Sequence, residues 1–155
     1  GEFHAVAFAR VMGLETVRLR FFNIFGPKQR GDSPYSGVIA IFTEAFRKGI
    51  NPTIFGDGLQ SRDFVFVKDA VQALILAGTN PNISGDVFNI GAGKSTSLLD
   101  LAAHLQTLTG KNLAPKHLPP RLGDVRYSLA DITKAQRMLG FVPKFDVPAG
   151  LKFLL

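Results

Sequence analysis

Four side chains in this sequence, Asn23, Arg62, Arg121 and Asp124, stand in or beside turns at element boundaries, and their types suit an anionic ligand. A guanidinium makes paired hydrogen bonds to phosphate oxygens, so two arginines suit a diphosphate, while a carboxylate such as Asp124 can accept from ribose hydroxyls. Arg62 has the most defined setting. It opens the second of two short apolar runs in the stretch Thr53 to Val67, and the turn-forming Gly56-Asp57-Gly58 lies between them, so the stretch reads as a tight connection delivering one cation to a fixed place. The same residues also allow a plainer reading, in which Arg62 and Asp63 are solvated residues of an ordinary hairpin.

Other chemistry is excluded or weakened by spacing. Gly91-Ala92-Gly93-Lys94-Ser95-Thr96 follows an apolar strand-like run and contains the Gly-Lys-Ser of a phosphate-cradling loop. That pattern requires a glycine five residues before its second glycine, and Phe88 stands there, so the segment reads as a strand-to-helix turn. There is no cysteine, which removes disulfides, thiolate catalysis and cysteine-based metal sites. His4, His104 and His117 are too scattered for a zinc set, and neither helical histidine has a nucleophile to serve. Asp63, Asp69 and Asp124 fall at turns or helix starts, where capping explains them.

The charge balance points the same way as the arginines. Eighteen Lys and Arg against twelve Asp and Glu give a net charge of +6, which favours nucleotides, nucleic acid or acidic metabolites as partners. The basic residues are spread along the chain without a dense run, which disfavours nucleic acid. No apolar run approaches the roughly 20 residues that cross a bilayer, so the expectation is a chain without a membrane partner, at work in the cytoplasm.

The elements that must position these groups alternate between helix and strand. Glu2 to Met12 reads as a helix already under way, and the alternation in Glu15 to Phe22 reads as a strand. Lys28 to Ser36 is a polar loop, and Gly37 to Lys48 a helix stopped by Gly49. Lys68 to Gly78 reads as a helix, Asp86 to Ile90 as a strand, and Ser97-Leu98-Leu99-Asp100 as a capping-box start of a helix reaching about Leu108. Lys116 to Leu118 is a short strand, Asp131 to Leu139 a helix closed by Gly140, and a last helix begins near Pro148. The fold class is α/β. The uncapped first helix and the apolar Leu151 to Leu155 give the expectation of a piece of something longer.

Four motifs in register then carry a resemblance: Arg20-Phe21-Phe22-Asn23-Ile24-Phe25-Gly26-Pro27; Ile54-Phe55-Gly56-Asp57-Gly58 with Ser61-Arg62-Asp63-Phe64; Phe88-Asn89-Ile90-Gly91; and Arg121-Leu122-Gly123-Asp124. Over nearly its whole length the chain resembles the C-terminal half of the extended short-chain dehydrogenase/reductases, within them the NAD-dependent nucleotide-sugar epimerases and dehydratases of the UDP-glucose 4-epimerase type. The resemblance implies the C-terminal part of an extended Rossmann-type protein. Residues 1–27 would end the dinucleotide-binding domain and 28–155 would mostly bind substrate, with 68–90 returning a helix and strand to the Rossmann sheet.

It further implies that Asn23 hydrogen-bonds the diphosphate of a UDP-, dTDP- or GDP-sugar, that Arg62 and Arg121 clamp it, and that Asp124 holds the ribose. The backbone of Thr53, Ile54 and Phe55 would line the base, and Phe21 and Phe22 would lie near the nicotinamide of NAD. The family's glycine-rich loop and Tyr-x-x-x-Lys pair belong upstream, so no catalytic residue is expected in this chain, which alone should be inactive. Besides 4-epimerisation, the implied activities include dehydration, decarboxylation and reduction, and the rival is a non-catalytic nucleotide-sugar binding module. Phe3, Val6, Phe8 and Val17 to Phe22 would face a missing domain or partner, giving a homodimer or self-association.

Overall fold

The computed structural model describes residues 1–32 and 36–155; the part of the expected loop at 33–35 lies outside the described residues. In chain order the elements are α1 (Glu2–Met12), β1 (Arg18–Phe21), β2 (Asn23–Phe25), α2 (Val38–Lys48), β3 (Thr53–Phe55), β4 (Ser61–Phe66), α3 (Val67–Thr79), β5 (Val87–Ile90), β6 (Ser95–Ser97), α4 (Leu98–Thr109), β7 (Lys116–Leu118), α5 (Thr133–Leu139) and α6 (Val147–Leu151). The strands form three small sheets. β1 pairs with β5 in parallel, β4 lies between parallel β2 and antiparallel β6, and β3 pairs with β7 in parallel.

Two apolar clusters hold these layers together. The larger gathers Phe25, Phe64 and Phe66 from β2 and β4 with Phe42 and Phe46 of α2, Leu101 and Leu105 of α4, and Leu151 of α6. α2 contributes because its apolar residues recur at helical spacing on one face, while Gly49 ends it in the left-handed region and donates its N–H to the carbonyls of Ala45 and Phe46. α4 starts on the expected capping box, in which the Ser97 side chain accepts from the Asp100 N–H and the Asp100 side chain from the Ser97 N–H. The smaller cluster joins Phe88 and Ile90 of β5 to Ala73 of α3 and to Ala135, Leu139 and Phe141 in and after α5, with Val17 and Leu19 packed against it.

The hairpin expected around Gly56-Asp57-Gly58 does not form. β3 pairs with β7 and β4 with β2 and β6, so the two runs belong to different sheets. The connection is five residues rather than a two-residue turn: Gly56 and Gly58 take φ of 87° and 80°, and the Gln60 side chain donates to the Phe55 carbonyl at 2.6 Å. Cross-strand partners so far apart in sequence give no local signal, whereas the glycine turn between the runs does. Two short strands, Asn23–Phe25 and Ser95–Ser97, also stand where the sequence carried no strand pattern, because three residues are too few to show alternation.

The helix α1 carries no buried residue, and Phe3, Val11 and Met12 are largely exposed. Arg20 ties it to β1 through a two-pronged pair with Glu2, at 2.6 and 2.7 Å. Among the described residues no helix is long and apolar enough to cross a membrane.

Candidate functional site

The parallel sheets bring the motif residues to one concavity. Its volume is about 670 Å³, and Asn23, Thr53, Phe55, Arg62, Arg121 and Asp124 all line it. Asn23 arrives at the N-terminal end of β2, in register with Phe64 of β4. Arg62 projects from β4 on the face opposite Asp63, as neighbouring strand residues do. Thr53 and Phe55 come from β3, and the pairing of β3 with β7 carries the chain on to Arg121 and Asp124, with the Gly56 N–H donating to the Leu118 carbonyl at 2.8 Å. Ile54, between Thr53 and Phe55, is fully buried in the larger cluster, so its side chain faces the core and it does not line the cavity.

The cationic groups are held in place by neighbouring acceptors and π faces. Arg62 donates one nitrogen to the Ser61 carbonyl at 2.8 Å and another to Asp124 Oδ1 at 2.5 Å, with the Arg62 side chain 17% and that of Asp124 36% exposed. The Arg121 guanidinium lies 3.7 Å from the centroid of the Phe55 ring. Asn23 Nδ2 donates to the main-chain carbonyl of Asp63 at 3.1 Å, which leaves its second hydrogen available. The arrangement sets two delocalised cations over an apolar floor that includes Phe25 and Phe42, chemistry that suits an anion.

The segment carrying Arg121 and Asp124 has little packing of its own, and Leu122, Val125 and Tyr127 are exposed. Polar rungs fasten it. The Ser61 N–H donates to the Arg126 carbonyl at 3.0 Å, the Ser128 N–H to the Ser61 carbonyl at 3.1 Å, and Arg126 makes a two-pronged pair with Asp57 at 2.6 and 2.7 Å. That pair, with help from the Leu59 N–H, lowers the Asp57 carboxyl to about 2. Sequence reading missed both Arg126 and Gln60. The signal for Gln60, which also lines the cavity, was its place two residues before Arg62, where a strand puts it on the same face.

The aspartates correct the expectation of surface caps. Asp63 is fully buried on β4, and its carboxylate accepts from the N–H groups of Ala92 at 2.6 Å, Gly93 at 2.9 Å and Ala130 at 3.1 Å. Burial pushes its carboxyl above the usual range, and the three amides pull the other way. Asp69, also buried, accepts from Lys144 and Phe145 at 3.0 and 3.1 Å. Asp124 pairs with Arg62. The Ala92 and Gly93 amides, the ones that a phosphate-cradling loop would offer, are therefore already committed to Asp63.

Phe21 and Phe22 lie apart from this cavity. Phe21 ends β1, is partly exposed and lines another concavity with Val17, Leu19 and Leu74, while the Phe22 N–H donates to the Ile90 carbonyl at 2.9 Å. They offer an apolar flank at the C-terminal end of a parallel strand, where α/β sheets receive cofactors. Aromatic side chains there have the chemistry to flank a flat cofactor ring, whereas the Ala92 and Gly93 amides are taken up by Asp63 and offer no phosphate cradle. Among the described residues no group of three or more His, Cys, Asp or Glu could hold a metal ion.

Solved structures share this fold. The chain superposes on UDP-glucose 4-epimerase with UDP-glucose from Thermotoga maritima with a TM-score of 0.92 and 43% identity, covering 98% of this chain and 48% of that one. UDP-glucuronic acid 4-epimerase from Bacillus cereus, in complex with UDP-glucuronic acid and NAD, matches with a TM-score of 0.88 and 30% identity over 98% of this chain and 48% of that one. The fold is thus a partial Rossmann-type α/β region. Residues 1–91 match the model of the NAD dependent epimerase/dehydratase family, and the chain belongs to that family. Curated relatives include UDP-glucose 4-epimerase of Mycolicibacterium smegmatis, 37% identical over 97% of this chain and 48% of the relative. Another is UDP-N-acetyl-alpha-D-glucosaminuronate decarboxylase of Bacillus cytotoxicus, 34% identical over 92% of this chain and 46% of the relative. The chain spans about half the length of the curated relatives it matches.

Proposed function

We propose that this chain is the nucleotide-sugar binding portion of an NAD-dependent epimerase/dehydratase, and that its intact parent 4-epimerises a UDP-sugar. The observation that carries this reading is the convergence of Arg62, Arg121, Asn23 and Asp124 on one cavity. Two guanidiniums match a diphosphate, the Asp124 carboxylate a ribose, and the backbone of Thr53 to Phe55 with the Phe55 ring a base. The UDP-glucose bound to the Thermotoga maritima relative and the 4-epimerases among the relatives favour the UDP-sugar and the reaction over the decarboxylase alternative.

This chain contributes binding and orientation. When bound, NAD supplies transient hydride transfer, and Phe21 and Phe22 would flank its nicotinamide. No Tyr-x-x-x-Lys sequence occurs in the 155 residues, so the chain alone is expected to bind nucleotide without converting UDP-glucose in the presence of NAD. Titration with UDP tests the reading. Arg62→Ala and Arg121→Ala should each weaken UDP by about 1.5–3 kcal/mol, the loss of a charged hydrogen bond. Unchanged affinity in both variants would refute the clamp, and turnover by the purified chain would refute its non-catalytic assignment.

A further inference from the structure

The Asp63 carboxylate lies on the far side of β4 from the cavity, and none of its three amide donors lines that cavity. Each of the four polar side chains proposed to meet the ligand is nonetheless tied to it by a short path. Arg62 is its chain neighbour, and Asn23 donates to its carbonyl. The segment bearing Arg121 and Asp124 runs beside β4 through the Ser61 rungs and ends at Ala130, whose N–H donates to Asp63 Oδ2 at 3.1 Å. The turn after β5 is pressed close: a Cβ added at Gly91 would meet Asp63 Oδ2 at 2.7 Å and the Ala130 Cβ at 2.5 Å. A bare backbone at residue 91 is what lets the carboxylate reach both Ala92 and Gly93.

We infer that Asp63 is a positioning residue for the nucleotide clamp, holding Arg62 and the segment with Arg121 and Asp124 in the geometry that receives a diphosphate. This rests on the reading of the cavity as a nucleotide site. A buried carboxylate with three amide donors has one low-energy arrangement, so it fixes β4, the turn after β5 and the approach to α5 relative to one another.

The sign of the effect separates positioning from charge. Asp63→Asn removes a negative charge close to Arg62, which by Coulomb attraction alone would strengthen UDP binding. It also turns an N–H₂ group toward amide donors, which breaks the node. Positioning therefore predicts that Asp63→Asn weakens UDP by about tenfold, a typical coupling between neighbouring groups, and that the loss is smaller in an Arg62→Ala background. If Arg62→Ala weakens UDP while Asp63→Asn leaves it equal or tighter, the positioning role is overturned and the nucleotide site stands; if neither Arg62→Ala nor Arg121→Ala changes UDP affinity, the nucleotide reading itself fails.

Amide hydrogen exchange of the unmodified chain gives the same answer should Asp63→Asn not fold. Because coupling is reciprocal, saturating UDP should slow exchange at Ala92, Gly93 and Ala130, although they lie outside the cavity. Protection confined to cavity residues such as Thr53 and Phe55 would overturn the inference.

Discussion

Arg121 lies over Phe55, guanidinium to ring centroid 3.7 Å, and this contact joins the otherwise weakly packed segment after β7 to β3 in the cavity wall. A cation above an aromatic face at a partly exposed site is worth about 0.5–1 kcal/mol. A double-mutant cycle of Phe55→Leu and Arg121→Ala, followed by urea denaturation, should return a coupling of that size, because leucine keeps the apolar bulk and removes the π face. A coupling indistinguishable from zero would mean that the segment is held by its polar rungs alone.

Those rungs set an acid limit. The Asp57 carboxyl sits at about 2 in the fold against an ordinary 3.8, lowered first by Arg126 and then by the Leu59 N–H. A carboxylate depressed on folding stabilises the native state above its unfolded value and loses that contribution as pH falls through the folded one. The stability difference between the unmodified chain and Asp57→Asn should therefore be constant well above pH 3.8, shrink below it and vanish only as pH falls past about 2. Asp63 acts with the opposite sign: its carboxyl is raised, so it favours the fold more in acid than at neutral pH. Thermal denaturation of both chains across this window checks the sign, and a difference that grows toward low pH would contradict it.

How far the sequence reveals this site depends on the range of the interaction. Helix periodicity, the glycine stops at Gly49 and Gly140, and the Ser97–Asp100 box are local, and each lies where periodicity and capping place it. The family was legible because four motifs kept their order and spacing. What stayed hidden was pairing. Nothing near Thr53 announces that its partner is Lys116, and nothing near Asp63 announces that its donors are Ala92, Gly93 and Ala130, because a main-chain amide has no residue identity to read. In sequence Asp63 reads as a cap, since aspartate beside a turn usually is one. Its burial follows from the register of β4 between two strands, which is a tertiary fact.

Packing around α6 gives a prediction independent of any ligand. Gly150 faces the larger cluster, and a Cβ there would meet Phe25 Cζ at 2.5 Å and Phe66 Cδ2 at 3.0 Å. Both rings are buried among other aromatics, with Phe66 centred 5.4 Å from Phe25 and 4.8 Å from Phe145, so neither has room to turn aside. Overpacking a core of this kind costs about 1–3 kcal/mol, more than alanine gains over glycine in a helix. Gly150→Ala should lower the urea midpoint without changing the slope of the transition, and a stabilised variant would mean that α6 shifts freely on the cluster.

The first helix gives a prediction about association. α1 buries none of its residues, and Phe8 and Met12 stand one helical turn apart with 49% and 69% of their surfaces exposed, next to Val11 at 83%. A contiguous exposed apolar stripe of this kind is expected to drive association. Light scattering should give an apparent mass that rises with concentration. In Phe8→Gln/Met12→Gln the rise should be reduced with no change of unfolding midpoint, because neither residue belongs to a core cluster and glutamine keeps both the helix propensity and the net charge. A chain that stays monomeric at high concentration, or a double variant that associates as readily as the original, would place the contact elsewhere.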